Sequence, residues 1–466
     1  MPQSKSIHDE SQAIAWLGQF VQHGGPRYLQ IADFIERALD NQQLKTGDRL
    51  PSQRRMATLL QVDLTTVTRA YEEAKRRQLL SGHGARGTYA TAPKRDLGQM
   101  LDLSMNIPPP PANVDLAELL KQGLAQVQRN ADDDLLINYH LGGGSLDDRA
   151  AGAAWLRPML GTVTPEQITV CPGAQAALAA VLMAFTKHGD VILAEPAIYP
   201  GLRMVAEQCG RRIIAVEIDD QGMRPDALEH ALQRHASPLV YLNPTLQNPT
   251  THTMPAARRC EIAAVIARAR TCVVEDDPYW LLSNDAPAPL ATLIPDRVCY
   301  ISTLSKCLVP GLRTAYVWIS DQHAQEKFMA ALRSFNLMTP PLTSALAAQW
   351  IRNGTASTLL TGIREEARQR QRLAVDLLAG RTAHSDQGIH IWLPLPGYWT
   401  ASALVSAARK DGLAITSSDI FFDLKKPPNI VRIALGGIRQ RERLAAALRR
   451  LSHLLARRPE RPIDDI

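Results

Sequence analysis

Lys306 sits among small hydroxyl residues, in Ser302-Thr303-Leu304-Ser305-Lys306, and Arg313 follows after Pro310-Gly311-Leu312. A lysine amine can bond covalently to an aldehyde, and an arginine with hydroxyls nearby can hold a phosphate. The spacing therefore suits a phosphorylated aldehyde cofactor. Ser/Thr-Lys clusters also occur in solvated loops, so the stretch needs support from other segments. Pro172-Gly173-Ala174-Gln175 opens an alanine-rich run, and a glycine turn into a helix N-terminus offers free N–H groups to an anion. Glu195-Pro196-Ala197-Ile198-Tyr199 brings an aromatic ring, Asn243-Pro244 and Asn248-Pro249-Thr250 bring amides, and Glu275-Asp276-Asp277-Pro278-Tyr279 brings carboxylates and a phenol. Val431-Arg432-Ile433 sets a lone arginine in an apolar run. Taken singly, Asp276 could lie in a solvated turn, Tyr199 in a core and Arg432 in a strand salt bridge.

These segments need elements to position them. Apolar runs at Ile168–Cys171, Val191–Ala194, Arg212–Val216, Leu239–Leu242, Cys272–Glu275 and Val298–Ser302 read as strands, with helical patterns between most of them. That alternation predicts an α/β domain with a mixed, mostly parallel sheet. The motifs follow the strands, and open α/β sheets bind ligands outside the carboxyl ends of their strands. A smaller α+β lobe is expected from about residue 355, with strands at Ile389–Leu393 and Ile430–Ala434. Residues 93–114, including Pro108-Pro109-Pro110-Pro111, read as a linker, residues 115–455 as the large domain and residues 456–466 as a tail.

Taken together and in this order, the motifs are similar to those of fold-type I, pyridoxal-phosphate-dependent aminotransferases. The resemblance implies that Lys306 forms the Schiff base with pyridoxal phosphate and that Asp276 pairs with the ring nitrogen. It also implies that Asn248 and Tyr279 bond the phenolic oxygen and that Tyr199 stacks on the ring. Gly173, Ala174, Gln175, Thr303, Ser305 and Arg313 would hold the phosphate. Tyr139 would reach the phosphate of a neighbouring subunit, making a homodimer, and Arg432 would bind the α-carboxylate of an amino-acid ligand. Thr251 and Ala315 stand where glycine is usual, and Asp148-Arg149 replaces an apolar-Arg pair.

The N-terminal fifth has a different character. Residues 1–95 hold 14 Lys/Arg against 9 Asp/Glu, a net of +5, whereas the remaining 371 residues hold 38 against 37. A basic excess confined to one small module suggests a polyanionic partner. Tyr28, Ile31, Ile35 and Leu39 fall at helical spacing. Leu50-Pro51-Ser52 offers an N-cap before a short helix, and Asp63 can cap the next, with Gln61 and Val62 between the two. Leu79-Leu80 and Gly87-Thr88-Tyr89-Ala90 would form a hairpin. Ile14, Leu17, Phe20 and Val21 could line one face of an extra helix in the extension 1–27, which carries no functional reading.

Residues 28–92 thus resemble the winged helix-turn-helix of the GntR regulators, through Leu50-Pro51-Ser52-Gln53-Arg54-Arg55-Met56-Ala57, Thr65-Thr66-Val67, Arg69-Ala70-Tyr71 and Gly87-Thr88-Tyr89. Gln61 replaces the usual turn glycine, and Leu64 stands where the family often has arginine. The resemblance places Thr65, Thr66, Thr68 and Arg69 near base edges in a major groove. It places Ser52, Arg54 and Arg55 on phosphates, and His83 and Arg86 on the wing.

Over nearly its whole length the chain resembles the MocR subgroup of GntR regulators. The resemblance implies a DNA-binding transcription factor that senses pyridoxal phosphate or an amino compound through Lys306. An active aminotransferase carrying a DNA-binding appendage is the competing expectation, and a ligand-binding protein acting on neither would leave the basic module unexplained. The expected partners are a double-stranded DNA operator, an amino-acid or amine effector (or the cofactor itself) and a second copy of the chain. The six cysteines form no CxxC pair, no metal site is assigned, and no apolar run is long enough for a bilayer, so a cytoplasmic protein is expected.

Overall fold

The structure is a computed structural model that describes residues 16–17, 20, 26–40, 43–45, 47–77, 79–82, 87–91, 100–112, 114–130, 137–236, 238–378, 387–423 and 426–458. The chain divides into two compact units, residues 1–100 and 101–466.

In the first unit, helices α1 (Arg27–Asp40), α2 (Gln53–Leu60) and α3 (Leu64–Arg76) precede an antiparallel pair, β1 (Leu80–Gly82) and β2 (Thr88–Ala90). Ile31, Ile35, Met56, Leu60, Val67, Ala70 and Tyr71 form its core, as helical spacing requires. The Ser52 hydroxyl accepts from the Arg55 backbone N–H at 3.3 Å and caps α2, while Asp63, in the N-cap position of α3, makes no side-chain cap bond. Gln61 adopts φ +51°, so the turn keeps the left-handed backbone that a glycine would supply. Trp16 and Leu17 are buried, and Trp16 stacks on Phe34 at 5.2 Å, so the extension contributes packing; Ile14 and Val21 lie outside the described residues. Arg77 ties α3 to α1 through Asp33 at 2.6 Å and Glu36 at 2.9 Å.

In the second unit β3 (Leu101–Asp102) comes first, followed by β4 (Ile168–Cys171), β5 (Val191–Ala194) and β6 (Arg212–Ala215). A small antiparallel pair, β7 (Ile218–Asp219) and β8 (Gly222–Met223), leads to β9 (Leu239–Leu242), β10 (Cys272–Asp276), β11 (Val298–Thr303) and β12 (Ala315–Trp318). Seven strands form one sheet in the order β4-β12-β11-β10-β9-β5-β6. All are parallel except β12, which runs antiparallel to both neighbours and was not among the strands read from sequence. Side chains alternate between two buried faces: Val240, Leu242, Val273 and Tyr300 on one, Leu239, Tyr241, Val274 and Ile301 on the other.

A separate apolar core holds β13 (His390–Pro394), β14 (Leu413–Ala414), β15 (Thr416–Ser417) and β16 (Ile430–Ala434), where β13, β16 and β15 form a sheet. Leu103 is fully buried in that core, and β3 pairs in parallel with β14. The stretch expected to be linker as far as residue 114 is therefore part of this lobe from residue 101. Its prolines mark an extended path packed on the fold: a Cβ added at Gly436 would meet the Ile107 carbonyl oxygen at 1.8 Å. Two departures from the aminotransferase pattern also find a place. Asp148 completes a capping box with Ser145 at a helix start, and Ala315 is fully buried as it begins β12 opposite Thr303.

Candidate functional site

At the carboxyl ends of β4, β5, β9, β10 and β11 lies a cleft of about 530 Å3 lined by Ala174, Gln175, Tyr199, Asn243, Asn248, Asp276, Pro278, Tyr279, Thr303, Ser305, Lys306 and Arg313. All but Asn243 and Pro278 were assigned a role from sequence, and those two stood in the quoted motifs without one. Gly173 adjoins them: it caps helix α4 (Ala174–Phe185) at φ +94°, and a Cβ there would stand 2.5 Å from the Arg313 guanidinium. Arg313 itself has φ +47° and is exposed, its Nη2 donating to the Pro172 carbonyl at 3.4 Å. The helix N-terminus, the arginine and the Thr303 and Ser305 hydroxyls, 3.2 Å apart, make one corner whose chemistry suits an anion.

Lys306 directs its amine to the Asn106 carbonyl oxygen at 2.6 Å. Burial, then the charge of Arg432, lowers its pKa to about 8, partly offset by Asp276. A larger fraction of the amine is thus neutral and nucleophilic near neutral pH. Asp276 is buried, and burial raises its pKa to about 6 against the opposing pull of the Tyr241 hydroxyl and Lys306. Tyr241 donates to Oδ2 at 2.8 Å, while Oδ1 is buried with no partner among the described residues. Below, Asn243 donates to the Asp276 carbonyl at 2.6 Å and accepts from the Asn248 backbone at 2.8 Å, fixing the floor.

Arg432, on β16, donates to Asn248 Oδ1 at 2.7 Å and to the Ser104 carbonyl at 2.5 Å, over the Phe421 ring at 5.0 Å. With Oδ1 committed to Arg432, the part of the Asn248 amide left for the cleft is its N–H donor. Arg432 Nε is buried with no partner among the described residues, so the guanidinium keeps an unused donor. Sequence reasoning missed Asn106, Tyr241 and His390. Asn106 lay in a stretch read as linker. Tyr241 could have been found by strand alternation, since it shares the sheet face of Val274 and Asp276. His390 carried no signal.

Tyr139 is 73% exposed and does not line this cleft. In the first unit Arg54, Arg55, Thr65 and Arg69 are exposed and Thr66 is half-buried. Thr68 is turned inward, its hydroxyl at 3.0 Å from Gln53 and 2.9 Å from the Leu64 carbonyl, which weakens it as a base-reading residue. Ser52 is engaged in its cap, and Arg69 stacks over Tyr28 at 4.5 Å. His83 and Arg86 lie outside the described residues.

Comparison with known proteins agrees with this geometry. The chain is 28% identical over 456 residues to the HTH-type transcriptional regulator YdeF of Bacillus subtilis, covering 96% of this chain and 98% of that one. It is 26% identical to the HTH-type transcriptional regulator TauR of Rhodobacter capsulatus, covering 90% and 95%. The structure of LysN, an α-aminoadipate aminotransferase of Thermus thermophilus complexed with N-(5'-phosphopyridoxyl)-L-leucine, matches with a TM-score of 0.69 and 26% identity, covering 77% of this chain and 92% of LysN. Proteins of this fold depend on pyridoxal phosphate. The residues here fit that group: Asp276 Oδ1 and Gln175 Oε1 are buried acceptors without partners among the described residues, and only a glycine at position 173 leaves the corner beside Arg313 clear. Residues 27–90 match the gntR family of bacterial regulatory proteins, and by the match over residues 98–451 the chain belongs to the aminotransferase class I and II family.

Proposed function

We propose that this protein is a pyridoxal-phosphate-dependent, DNA-binding transcriptional regulator of the MocR type, in which the aminotransferase-like unit senses an amino compound or the cofactor itself. The observation that carries the reading is the union, in one chain, of a GntR module with a complete lysine-centred cleft, matched end to end by regulators. Bound in the cleft, pyridoxal phosphate would supply an aldehyde that condenses with amines. Lys306 would hold that aldehyde carbon, Asp276 the ring nitrogen, Asn248 and Tyr279 the phenolic oxygen, and Tyr199 the ring face. Gly173, Ala174, Gln175, Thr303, Ser305 and Arg313 would hold the phosphate, and Arg432 the carboxylate of an effector.

A homodimer fits the surface. Ile137, Tyr139, Leu141 and Leu146 are all exposed, and Leu141 shares a groove with the exposed Leu337. Exposed apolar residues of this kind suit an interaction face, and we take a second copy of the chain as its occupant, with Tyr139 reaching the neighbouring cleft. Ser52, Arg54 and Arg55 would contact phosphates, and Thr65, Thr66 and Arg69 the bases. No helix among the described residues is long and apolar enough to cross a membrane, in keeping with a cytoplasmic regulator. A working aminotransferase remains the second reading, favoured by the intact set Lys306, Asp276 and Arg432.

Borohydride reduction of the cofactor-loaded protein should fix the cofactor to Lys306, and Lys306→Ala should lose that adduct. Selection from random duplexes with the purified protein should yield a two-part operator. An amino compound should then change operator affinity over the range in which it perturbs the cofactor's visible absorption. Arg432→Ala should abolish both responses to a carboxylated effector; if pyridoxal phosphate itself is the signal, Lys306→Ala and Arg313→Ala should impair regulation instead. Steady transamination with no ligand effect on DNA would establish the enzyme reading in its place.

A further inference from the structure

Asn106 and His390, which the roles above leave unused, belong to one buried polar cluster with Tyr279 and Lys306. The Asn106 backbone carbonyl receives the Lys306 amine, and its side-chain Nδ2 lies 3.0 Å from the Tyr279 hydroxyl and 3.1 Å from His390 Nδ1. An amide nitrogen carries two N–H donors and accepts nothing, so both contacts run outward from Asn106. His390 must then be an acceptor at Nδ1, which requires a neutral ring. Full burial, with Arg432 adding to it, lowers the His390 pKa to about 3 and keeps the ring neutral. His390 is anchored in β13, and its ring packs at 6.0 Å from that of Tyr279.

The consequence falls on the Tyr279 proton. A phenol that accepts an N–H on one side keeps its own O–H for a different acceptor, and Tyr279 faces the cleft. Were the amide turned over, its oxygen would take the Tyr279 proton and the hydroxyl could no longer donate inward. We propose that Asn106, oriented by His390, is a positioning residue that fixes Tyr279 as a hydrogen-bond donor into the cleft. This rests on the reading that pyridoxal phosphate binds there with its phenolic oxygen toward Tyr279. A hydrogen bond donated by the Tyr279 hydroxyl to that oxygen would stabilise the negative charge that otherwise keeps the neighbouring nitrogen protonated. The donor therefore lowers the pH at which the Lys306-bound cofactor changes colour.

The test is a pH titration of the visible absorption of the full-length protein loaded with pyridoxal phosphate. Asn106→Leu, close in shape but without donors, should raise the midpoint by about half to one pH unit, the effect of one well-aligned hydrogen bond. Asn106→Ala should move it in the same direction, which guards against poor folding of the leucine variant. In a Tyr279→Phe background neither substitution should shift the midpoint further, because the hydroxyl they position is gone; a merely structural role would act in both backgrounds. An unchanged midpoint, a downward shift, or an equal shift without the tyrosine hydroxyl would overturn the proposal while leaving cofactor binding intact. A wild-type protein that takes up no pyridoxal phosphate would instead overturn the functional reading, and this inference with it.

Discussion

In the sheet unit the side chains that carry chemistry are buried or half-buried, the exposed Arg313 apart, and several keep an unpaired polar atom, whereas in the N-terminal module most candidate contact residues lie at the surface. Asp276 Oδ1, Gln175 Oε1 and Arg432 Nε are all buried without partners among the described residues. Each such group costs stability that a packed core would not tolerate without a reason, so the cluster points to a ligand. In the module the comparable groups bond locally: Thr68 to Gln53, Arg69 over Tyr28, Arg77 to three carboxylates. A surface arginine is stable with or without DNA. Trp155 Nε1 and Trp399 Nε1 are also buried without partners among the described residues, away from the cleft, so it is the clustering of such groups around one cleft that points to a site, while surface polarity needs the fold around it to be interpreted.

The contrast breaks most readily at Gly173. An alanine there would place its Cβ 2.5 Å from the Arg313 guanidinium, and the φ of +94° disfavours any side chain. Gly173→Ala should weaken pyridoxal phosphate binding roughly 10- to 100-fold, about 1.4–2.8 kcal/mol, measured by titrating apoprotein with cofactor. DNA binding by cofactor-free protein should be unchanged. A variant that binds cofactor as tightly as the wild type would remove the phosphate corner from the site.

Asp276 gives the next effect, through pH. Burial raises its pKa from the ordinary 3.8 to about 6, so the folded state holds this proton more tightly than the unfolded chain. Its contribution to the stability of cofactor-free protein is complete below pH 3.8 and is lost as pH rises to about 6. Between pH 4.5 and pH 7 the loss is on the order of 2 kcal/mol, and Asp276→Asn, which has no proton to release, should abolish it. Urea unfolding of the two proteins at pH 4.5 and pH 7 measures the difference. Because a positively charged ring nitrogen favours the carboxylate, cofactor should restore more stability at pH 7 than at pH 4.5.

How much of this was legible in the sequence follows from the same contrast. The strands Ile168–Cys171, Val191–Ala194, Leu239–Leu242 and Ile430–Ala434 stand where apolar runs placed them, since a sheet buried on both faces writes itself as continuous apolar sequence. The motifs at their ends converge because parallel strands carry their carboxyl ends to one side. What the sequence hid was the contribution of residues 101–106. Prolines suggested a connector, but Leu103 is core, and the carbonyls of Ser104 and Asn106 hold Arg432 and Lys306. Backbone acceptors have no residue signature. In the module the helices were legible from their period, whereas the inward turn of Thr68 was not, because threonine at that position reads the same facing either way.

The module's arginines offer a smaller effect that tests the surface half of the comparison. Arg54→Ala and Arg55→Ala should each weaken binding to all duplexes alike, lowering the slope of log affinity against log salt by about 1 if each contacts one phosphate. Arg69→Ala should change which duplex is preferred, whereas Thr68→Val, its hydroxyl already committed, should not. Competition between selected and scrambled duplexes at two salt concentrations separates these outcomes. Altered preference in Thr68→Val would mean that its hydroxyl leaves Gln53 on DNA.

The smallest effect compares one backbone demand met in both units. Gln61 at φ +51° and Thr251 at φ +64° both hold left-handed conformations where glycine is usual in their families. Such a conformation costs a side-chain-bearing residue about 1–2 kcal/mol, and glycine returns roughly half of that as unfolded-state entropy. Gln61 is exposed and its backbone N–H already closes the end of α2, so Gln61→Gly gives up no buried contact and should stabilise the module by about 0.5–1 kcal/mol. Thr251 is half-buried, and its hydroxyl donates to the Thr250 carbonyl at 2.6 Å. Thr251→Gly loses that bond along with the strain, and the two terms of similar size should leave the sheet unit nearly unchanged. Urea unfolding of the full-length protein, with the module followed by its loss of operator binding and the sheet unit by the cofactor's absorption, separates the two. A gain at Thr251 as large as that at Gln61 would show that the hydroxyl contributes nothing, and that the two turns differ only in where they sit.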